Sequence, residues 1–133
     1  MNLLNLTLDG TTYRVRVVYD TLVRSFELRE GPNAGDMLSD RHERDLLGTK
    51  YPYTMQVEPD PRYLDDYDEL FQALSEPVDT HTVTLPYGNS TITFAAMVES
   101  GSDVYAGVVA GRRRWKHLTV TYRPVSLQRE ATT

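Results

Sequence analysis

The stretch NLLNLTLDGTTYRVRVVY, residues 2–19, decides the fold class because apolar and polar residues alternate on both sides of Asp9-Gly10. An alternation with period two is typical of a strand with one buried face. The Asp-Gly dipeptide favours the positive φ angles of a two-residue hairpin turn. The stretch therefore predicts an antiparallel hairpin, whose apolar positions are Leu4, Leu6, Leu8, Tyr13, Val15, Val17 and Tyr19.

Strand-like patterns recur through the rest of the chain. We expect strands at about 22–29 and 51–58, a pair around Tyr87-Gly88-Asn89, and a last pair formed by 103–110 and the segment RWKHLTVTYRPV, which Pro124 closes. Strands joined as hairpins, without alternating helices, argue against a parallel nucleotide-binding sheet.

A single helix is predicted over about 61–75, in the middle of the chain. Asp60 is placed to cap it, Pro61 suits its first position, and apolar residues recur at spacings of three and four. We interpret the acids of its other face as structural, since carboxylates in the first turns complement the helix dipole. These acids are Asp65, Asp66, Asp68 and Glu69.

Together these elements predict a mainly β (α+β) protein. We expect an antiparallel β-sandwich or split barrel of about eight strands with one flanking helix. Residues 1–127 would form a single β-rich domain with a long loop at 31–50, and residues 128–133 a polar C-terminal tail.

Composition excludes several classes of function. The 133 residues include no cysteine, which rules out disulfides, thiolate zinc sites and thiol nucleophiles. The net charge of −5 argues against specific nucleic-acid binding, and we interpret the basic cluster at Arg112–Arg114 and Lys116 as a solvated hairpin tip. The start lacks a basic leader region and no stretch approaches about 20 apolar residues, so we expect a cytosolic chain without membrane partners.

The loop 31–50 is unusually long for a compact domain, which indicates a working surface, a disordered insertion or a mistaken assignment of elements. The loop has few apolar residues. Burying them on a monomer would offset little of the conformational entropy that the loop loses when it becomes ordered. We therefore interpret it as an assembly arm that gains its order against a neighbouring subunit. The residues proposed for that contact are Met37, Leu38, Asp40, Arg41, Glu43, Arg44, Asp45, Leu46 and Leu47.

Catalytic motifs are weak. The segment RHERD, residues 41–45, offers His42 and Glu43 for a small hydrolase, but it lacks the ligand spacing of a metal site, and no nucleophile elbow is present. We expect no enzyme, cofactor or metal, and keep the hydrolase as a remote alternative.

Aromatic residues suggest a second alternative. The chain has nine tyrosines and one tryptophan, and such rings suit both wet interfaces and stacking on sugars. Tyr63 and Tyr67 fit the core face of the predicted helix. A carbohydrate-binding module would instead use exposed rings on a sheet face, for which the candidates are Tyr51, Tyr53, Tyr87, Tyr105 and Trp115.

The segments VYDTLVRSFELREGPNAGDMLSDRHERDLLGTKYPYTMQVEP, PVDTHTVTLPYG, ITFAAMV and WKHLTVTYRPV carry a resemblance that spans about 19–124. The chain resembles short uncharacterised proteins that prophages of gut bacteria encode among their structural genes, and its last strand looks like that of phage tail and baseplate subunits. The resemblance implies a non-enzymatic tail subunit of the tube, distal-tail or baseplate kind. It also implies a homo-oligomeric ring, contacts with other phage structural proteins, and a place first in the host cytoplasm and then in the virion tail. It implies no shared active-site residues.

Overall fold

The computed structural model describes residues 2–31, 35–36, 42–43 and 46–131, with the backbone alone at 2–3, 35–36 and 42–43. Within these residues it contains one helix and thirteen strands or short strand segments. Their bounds are β1 (Asn2–Leu8), β2 (Thr11–Val17), β3 (Val23–Arg24), β4 (Glu27–Glu30), β5 (Gly35–Asp36), β6 (His42–Glu43), β7 (Leu46–Lys50), β8 (Tyr53–Pro59), α1 (Leu64–Leu74), β9 (His81–Tyr87), β10 (Ser90–Met97), β11 (Gly101–Val109), β12 (Arg112–Pro124) and β13 (Arg129–Glu130).

Six antiparallel strands close a barrel in the order β1, β2, β8, β12, β10 and β9, with β9 returning to β1. Two of its junctions are narrow. β1 meets β9 through Thr7 and Leu8, and β10 meets β12 through Ala96 and Met97. The prediction of a mainly β protein with one flanking helix is confirmed, and of the two expected architectures, a sandwich or a split barrel, the six strands form a barrel that closes through two narrow junctions.

The core lies inside the barrel and beneath the helix. Each barrel strand sends alternate residues inward, as the period-two pattern predicts. The helix α1 packs its apolar face on β2 and β8. The buried apolar residues are Leu6, Leu8, Tyr13, Val15, Val17, Tyr53, Met55, Val57, Tyr67, Leu70, Leu74, Val83, Leu85, Phe94, Ala96, Leu118, Val120 and Tyr122.

The first hairpin turn forms as predicted, with φ of 51° at Asp9 and 83° at Gly10. The carboxylate of Asp9 then reaches across to β9. It lies 2.6 Å from Nδ1 of the buried His81 and accepts the backbone N–H of Thr82 at 2.7 Å. Burial of Asp9 by itself raises the pKa of the carboxyl, but these two hydrogen bonds outweigh it and lower that pKa. The turn thus reinforces the narrow junction between β1 and β9.

The helix begins three residues later than predicted. Asp60 caps a turn that precedes the helix: its side chain accepts the N–H of Arg62 at 3.1 Å, and its carbonyl accepts the N–H of Tyr63 at 2.8 Å. Asp60 is fully buried, and Arg62 Nη2 lies 3.0 Å and Arg16 Nη2 3.7 Å from its carboxylate. Two cations near one buried carboxylate favour the turn over a helical start at Pro61.

Two other predicted boundaries are wrong. The expected strand at 22–29 is divided into β3, which pairs with β8, and β4, which pairs with β7. Within the loop 31–50, β5 pairs with β6, and Leu46–Lys50 forms β7. The tail also joins this region, because β13 pairs with β7. These strands are short and lack a clear alternation of apolar and polar residues, so a local pattern does not indicate them.

Candidate functional site

The β11–β12 arm, defined as residues 104–116, is a two-stranded ribbon. β12 pairs with β8 only from Leu118 to Tyr122, so the arm lies beyond that pairing. Its cross-strand pairs include Val104 with Lys116 and Tyr105 with Trp115. Among the described residues, β11 has β12 as its sole strand partner, and its outer edge is open. A hairpin of this kind is marginal in water unless another surface supports it.

The residues of the β11 edge do not prevent it from pairing with another chain. Residues 104–110, VYAGVVA, contain neither a charge nor a proline. Val104, Val108 and Val109 are 52%, 60% and 54% exposed. Edge strands usually carry lysine, proline or inward-pointing charges that prevent pairing with another chain. Here only two register shifts, around Asp103 and Ala106, interrupt the edge.

Contacts with the helix hold the arm in place. Arg112 donates from Nη2 to Asp65 at 2.8 Å and to Asp68 at 3.0 Å. The hydroxyl of Tyr67 donates to Asp103 at 3.1 Å, and burial together with the Asp103 charge raises the pKa of that tyrosine. Arg112 is therefore an ion-pair partner of α1, whereas the basic cluster was interpreted as a solvated tip. The helix acids have a structural role, which Asp66 shares by accepting Arg14 Nε at 3.0 Å.

A cleft of about 820 Å³ separates the arm from α1. Trp115 is 40% exposed there and meets Tyr105 edge to face, with ring centroids 5.1 Å apart. The side chains of Glu69, Gln72 and Arg113 have no hydrogen-bond partner among the described residues. The cleft thus combines an aromatic surface with free polar groups. Its lining is Asp65, Asp68, Glu69, Phe71, Gln72, Asp103, Arg112, Arg113 and Trp115.

A second apolar surface, the β3–β4 patch, lies at another sheet edge. Phe26, between β3 and β4, is 71% exposed, the highest value among the large apolar residues described. In the described chain β4 pairs with β7 alone, and the other terminal edge of the large sheet is β3. The exposed apolar members of the patch are Tyr19, Val23, Phe26, Leu28, Leu46 and Leu47.

The proposed assembly residues are placed only in part. Leu46 and Leu47 lie on β7, 41% and 47% exposed, within the β3–β4 patch. The backbones of His42 and Glu43 pair with β5, and their side chains lie outside the described set, as do the hydrolase contacts they would make. The remaining residues of that prediction fall outside the described ranges: Met37, Leu38, Asp40, Arg41, Arg44 and Asp45.

The aromatic candidates are distributed over several surfaces. Tyr53 is buried, and its hydroxyl donates to the Pro86 carbonyl at 2.7 Å. Tyr51 and Tyr87 contact each other edge to face at 5.3 Å. Tyr63 was expected in the core but is only half-buried, and the Arg14 guanidinium covers its ring at 3.7 Å from the centroid. Of this set only Trp115 lines the cleft, and Tyr105 packs against its ring.

In the part of the chain that the structure describes, no group of three His, Asp or Glu side chains is arranged to hold a metal ion. The helix α1 is too short and too polar to cross a membrane. Comparison of the chain with protein-family models, curated proteins and solved structures gives no match.

Proposed function

We propose that this protein is a non-enzymatic structural subunit of a bacteriophage or prophage tail apparatus, of the tube, distal-tail or baseplate kind, that works by self-assembly. It would be made in the host bacterial cytoplasm, join a ring of identical copies, and contact other phage structural proteins in the virion tail. The observation that carries the proposal is the β11 edge, which has no further strand partner among the described residues and no charge over residues 104–110. The resemblance of the sequence to prophage structural proteins supplies the biological setting.

The energetics of the β11–β12 arm support association of moderate strength. Burying the exposed half of one valine side chain contributes on the order of 1 kcal/mol. The arm exposes Val104, Val108 and Val109 together with the Tyr105–Trp115 pair. Their summed contribution, about 5 kcal/mol, is comparable with the lower estimates of the cost of association, about 4 kcal/mol. One contact would therefore be weak, whereas a closed ring gains from having two contacts per subunit.

Sedimentation and fluorescence test the proposal together. Trp115 is the only tryptophan in the chain, so its emission reports on the arm without interference. We expect the sedimentation coefficient to rise with protein concentration and the emission to shift to shorter wavelength as Trp115 is buried. Val108→Lys should shift both changes to roughly tenfold or more higher protein concentration, because a lysine on an edge strand opposes pairing.

The matched control is Thr91→Lys, which adds the same charge at an exposed position of β10. It should leave both signals unchanged. A wild-type protein that sediments as a monomer at every attainable concentration, with constant emission, would contradict self-assembly. Electron microscopy at high concentration then shows whether the oligomers are rings.

A second function, glycan binding, is favoured by the cleft. A pyranose stacks on an exposed aromatic face, donates hydroxyl hydrogens to a carboxylate such as that of Glu69, and accepts hydrogen bonds from side chains such as Gln72 and Arg113. Titration with oligosaccharides of glucose or N-acetylglucosamine should then change Trp115 emission while the sedimentation coefficient stays constant. Trp115→Phe keeps a ring and Trp115→Ala removes it, so binding measured by calorimetry should survive the first substitution better than the second. No heat with any of these sugars argues against this function.

A further inference from the structure

We infer that the β11 edge of one copy pairs with the β3–β4 patch of the next copy, so that subunits join head to tail. This inference rests on the proposed self-assembly and names the two surfaces that meet. The bound partner is a second copy of this chain, held by strand addition across two open edges.

The distribution of exposed apolar residues points to these two surfaces. Five of the fourteen large apolar residues that are exposed in the described chain lie on the β11–β12 arm, and six lie in the β3–β4 patch. In the part of the chain that the structure describes, the first group borders the open edge of β11, and the second borders the open edges of β3 and β4, with Leu46 and Leu47 on the neighbouring β7. Apolar groups gathered at two separate edges mark interaction sites more strongly than the same number scattered over the surface.

The two edges also match in length. β11 has nine residues, and the segment from Val23 to Glu30 has eight, so each runs for roughly 26–30 Å. Backbone N–H and C=O groups on the outer side of β11 would find partners along this segment. The connection between β3 and β4 follows the same course, since Ser25 donates its N–H to the Pro52 carbonyl at 3.0 Å.

Charge favours this pairing over two β11 edges meeting each other. Behind β11, β12 carries Arg113, Arg114 and Lys116, so a symmetric pair would bring two cationic strands to one sheet. The β3–β4 patch has both signs, with carboxylates at Asp20 and Glu27 beside its arginines. In the head-to-tail arrangement the cationic strand meets a surface with both signs of charge, whereas in the symmetric one it approaches a second cationic strand.

Pairing between two different surfaces has a consequence for assembly. Each subunit keeps one free edge after every contact, so growth continues until a ring closes or a filament forms. A symmetric contact would stop at a dimer. The head-to-tail pairing thus gives the geometry that a ring-forming tail subunit needs.

The absence of native cysteine allows a direct cross-linking test. Val104→Cys places a thiol on β11, and Leu28→Cys places one on β4, at positions 52% and 46% exposed. One variant carries a mass tag, the two are mixed, and a short bis-maleimide is added. We expect a mixed dimer and little dimer from either variant alone. Thr91→Cys, exposed on β10, replaces either partner as the control and should give no mixed dimer.

Three other results of the cross-linking and sedimentation experiments would contradict the inference, and they can be told apart. Dimers from Val104→Cys alone would show that two β11 edges meet. Oligomers by sedimentation without a mixed cross-link would reject this pair of surfaces and leave self-assembly standing. A monomer without any cross-link rejects both.

Edge-blocking variants give an independent measurement. Val108→Lys blocks the β11 edge, and Phe26→Glu blocks the β3–β4 patch, yet each variant retains one intact edge. Alone, each should associate roughly tenfold or more weakly than the wild type. Mixed in equal amounts, they should form a dimer with one copy of each and grow no further. Failure of the mixture to dimerise, while the wild type forms oligomers, contradicts head-to-tail pairing.

Discussion

The hydroxyl of Tyr122 is fully buried in the barrel and has no hydrogen-bond partner among the described residues. Burial raises the pKa of this tyrosine, and no neighbouring charge or hydrogen bond opposes that shift. Tyr122 lies directly opposite Tyr53 in the pairing of β12 with β8. The two rings are therefore alike in position and burial, but only the Tyr53 hydroxyl has an acceptor, the Pro86 carbonyl at 2.7 Å.

This difference predicts opposite effects of the same substitution. Leaving a buried hydroxyl unpaired costs about 1–3 kcal/mol, and Tyr122→Phe removes that cost. The packing lost with one oxygen atom is worth a few tenths of a kcal/mol. We therefore expect the free energy of unfolding to rise by about 1 kcal/mol, which corresponds to about 3–5 °C in Tm for a chain of this length.

Urea and thermal unfolding measure the effect, and Tyr53→Phe is the matched control. That variant loses a real hydrogen bond and should unfold more easily by about 1 kcal/mol. The slope of the urea transition should be the same for both variants, since neither changes the surface exposed on unfolding. If Tyr122→Phe destabilises the protein as much as Tyr53→Phe does, the Tyr122 hydroxyl has a partner and the reasoning fails.

Three further predictions concern the strands and ion pairs around the barrel. Gly48→Ala should detach β13 from β7, because φ is +156° and an added Cβ would collide with the Arg129 carbonyl; faster amide exchange confined to that strand would show it. Hydrogen bonds from Arg14 hold the pKa of Asp66 below its ordinary value of 3.8, so this carboxylate stabilises the fold above that pH and the contribution is lost as pH falls through the lowered pKa. Asp66→Asn should therefore lower Tm at neutral pH, and its Tm should fall less than that of the wild type between about pH 5 and pH 2. Arg112→Gln should leave the free energy of unfolding almost unchanged, since exposed ion pairs are weak, while increased arm mobility lowers the anisotropy of the tryptophan emission. Unchanged anisotropy would show that the ion pairs do not restrain the arm.

Much of the barrel could be predicted because its information is local. The Asp9-Gly10 turn and the alternation on either side of it specify a hairpin and a buried face before any distant contact forms. The helix was equally evident from its apolar spacing, and its buried residues are those that the spacing selects. The start of the helix was not evident, because it depends on the turn at Asp60. The two arginines that hold this turn, Arg16 and Arg62, lie on opposite sides of Asp60 in the sequence.

The candidate site was only partly accessible to sequence reasoning. Trp115 and Tyr105 were recognised as exposed aromatic candidates, but their partnership depends on the register of β11 against β12. The uncharged segment 104–110 was assigned to a strand, yet nothing in a local pattern tells whether a strand is central or at an edge. Leu46 and Leu47 were selected for assembly as part of a loop and lie instead on β7.

The sequence by itself determined the period-two alternation that buries alternate positions of the barrel strands, where the first hairpin turns, and that the chain is mainly β with a flanking helix. These follow from period, turn chemistry and helix spacing, all of which act over a few residues. Only the tertiary structure decided which edges remain open, which acids Arg112 engages, and which polar segments become strands. Those outcomes depend on backbone and charged groups that the fold brings together from distant parts of the chain. The free energy of each such pairing is set by the partner that a segment meets and not by the segment's own sequence.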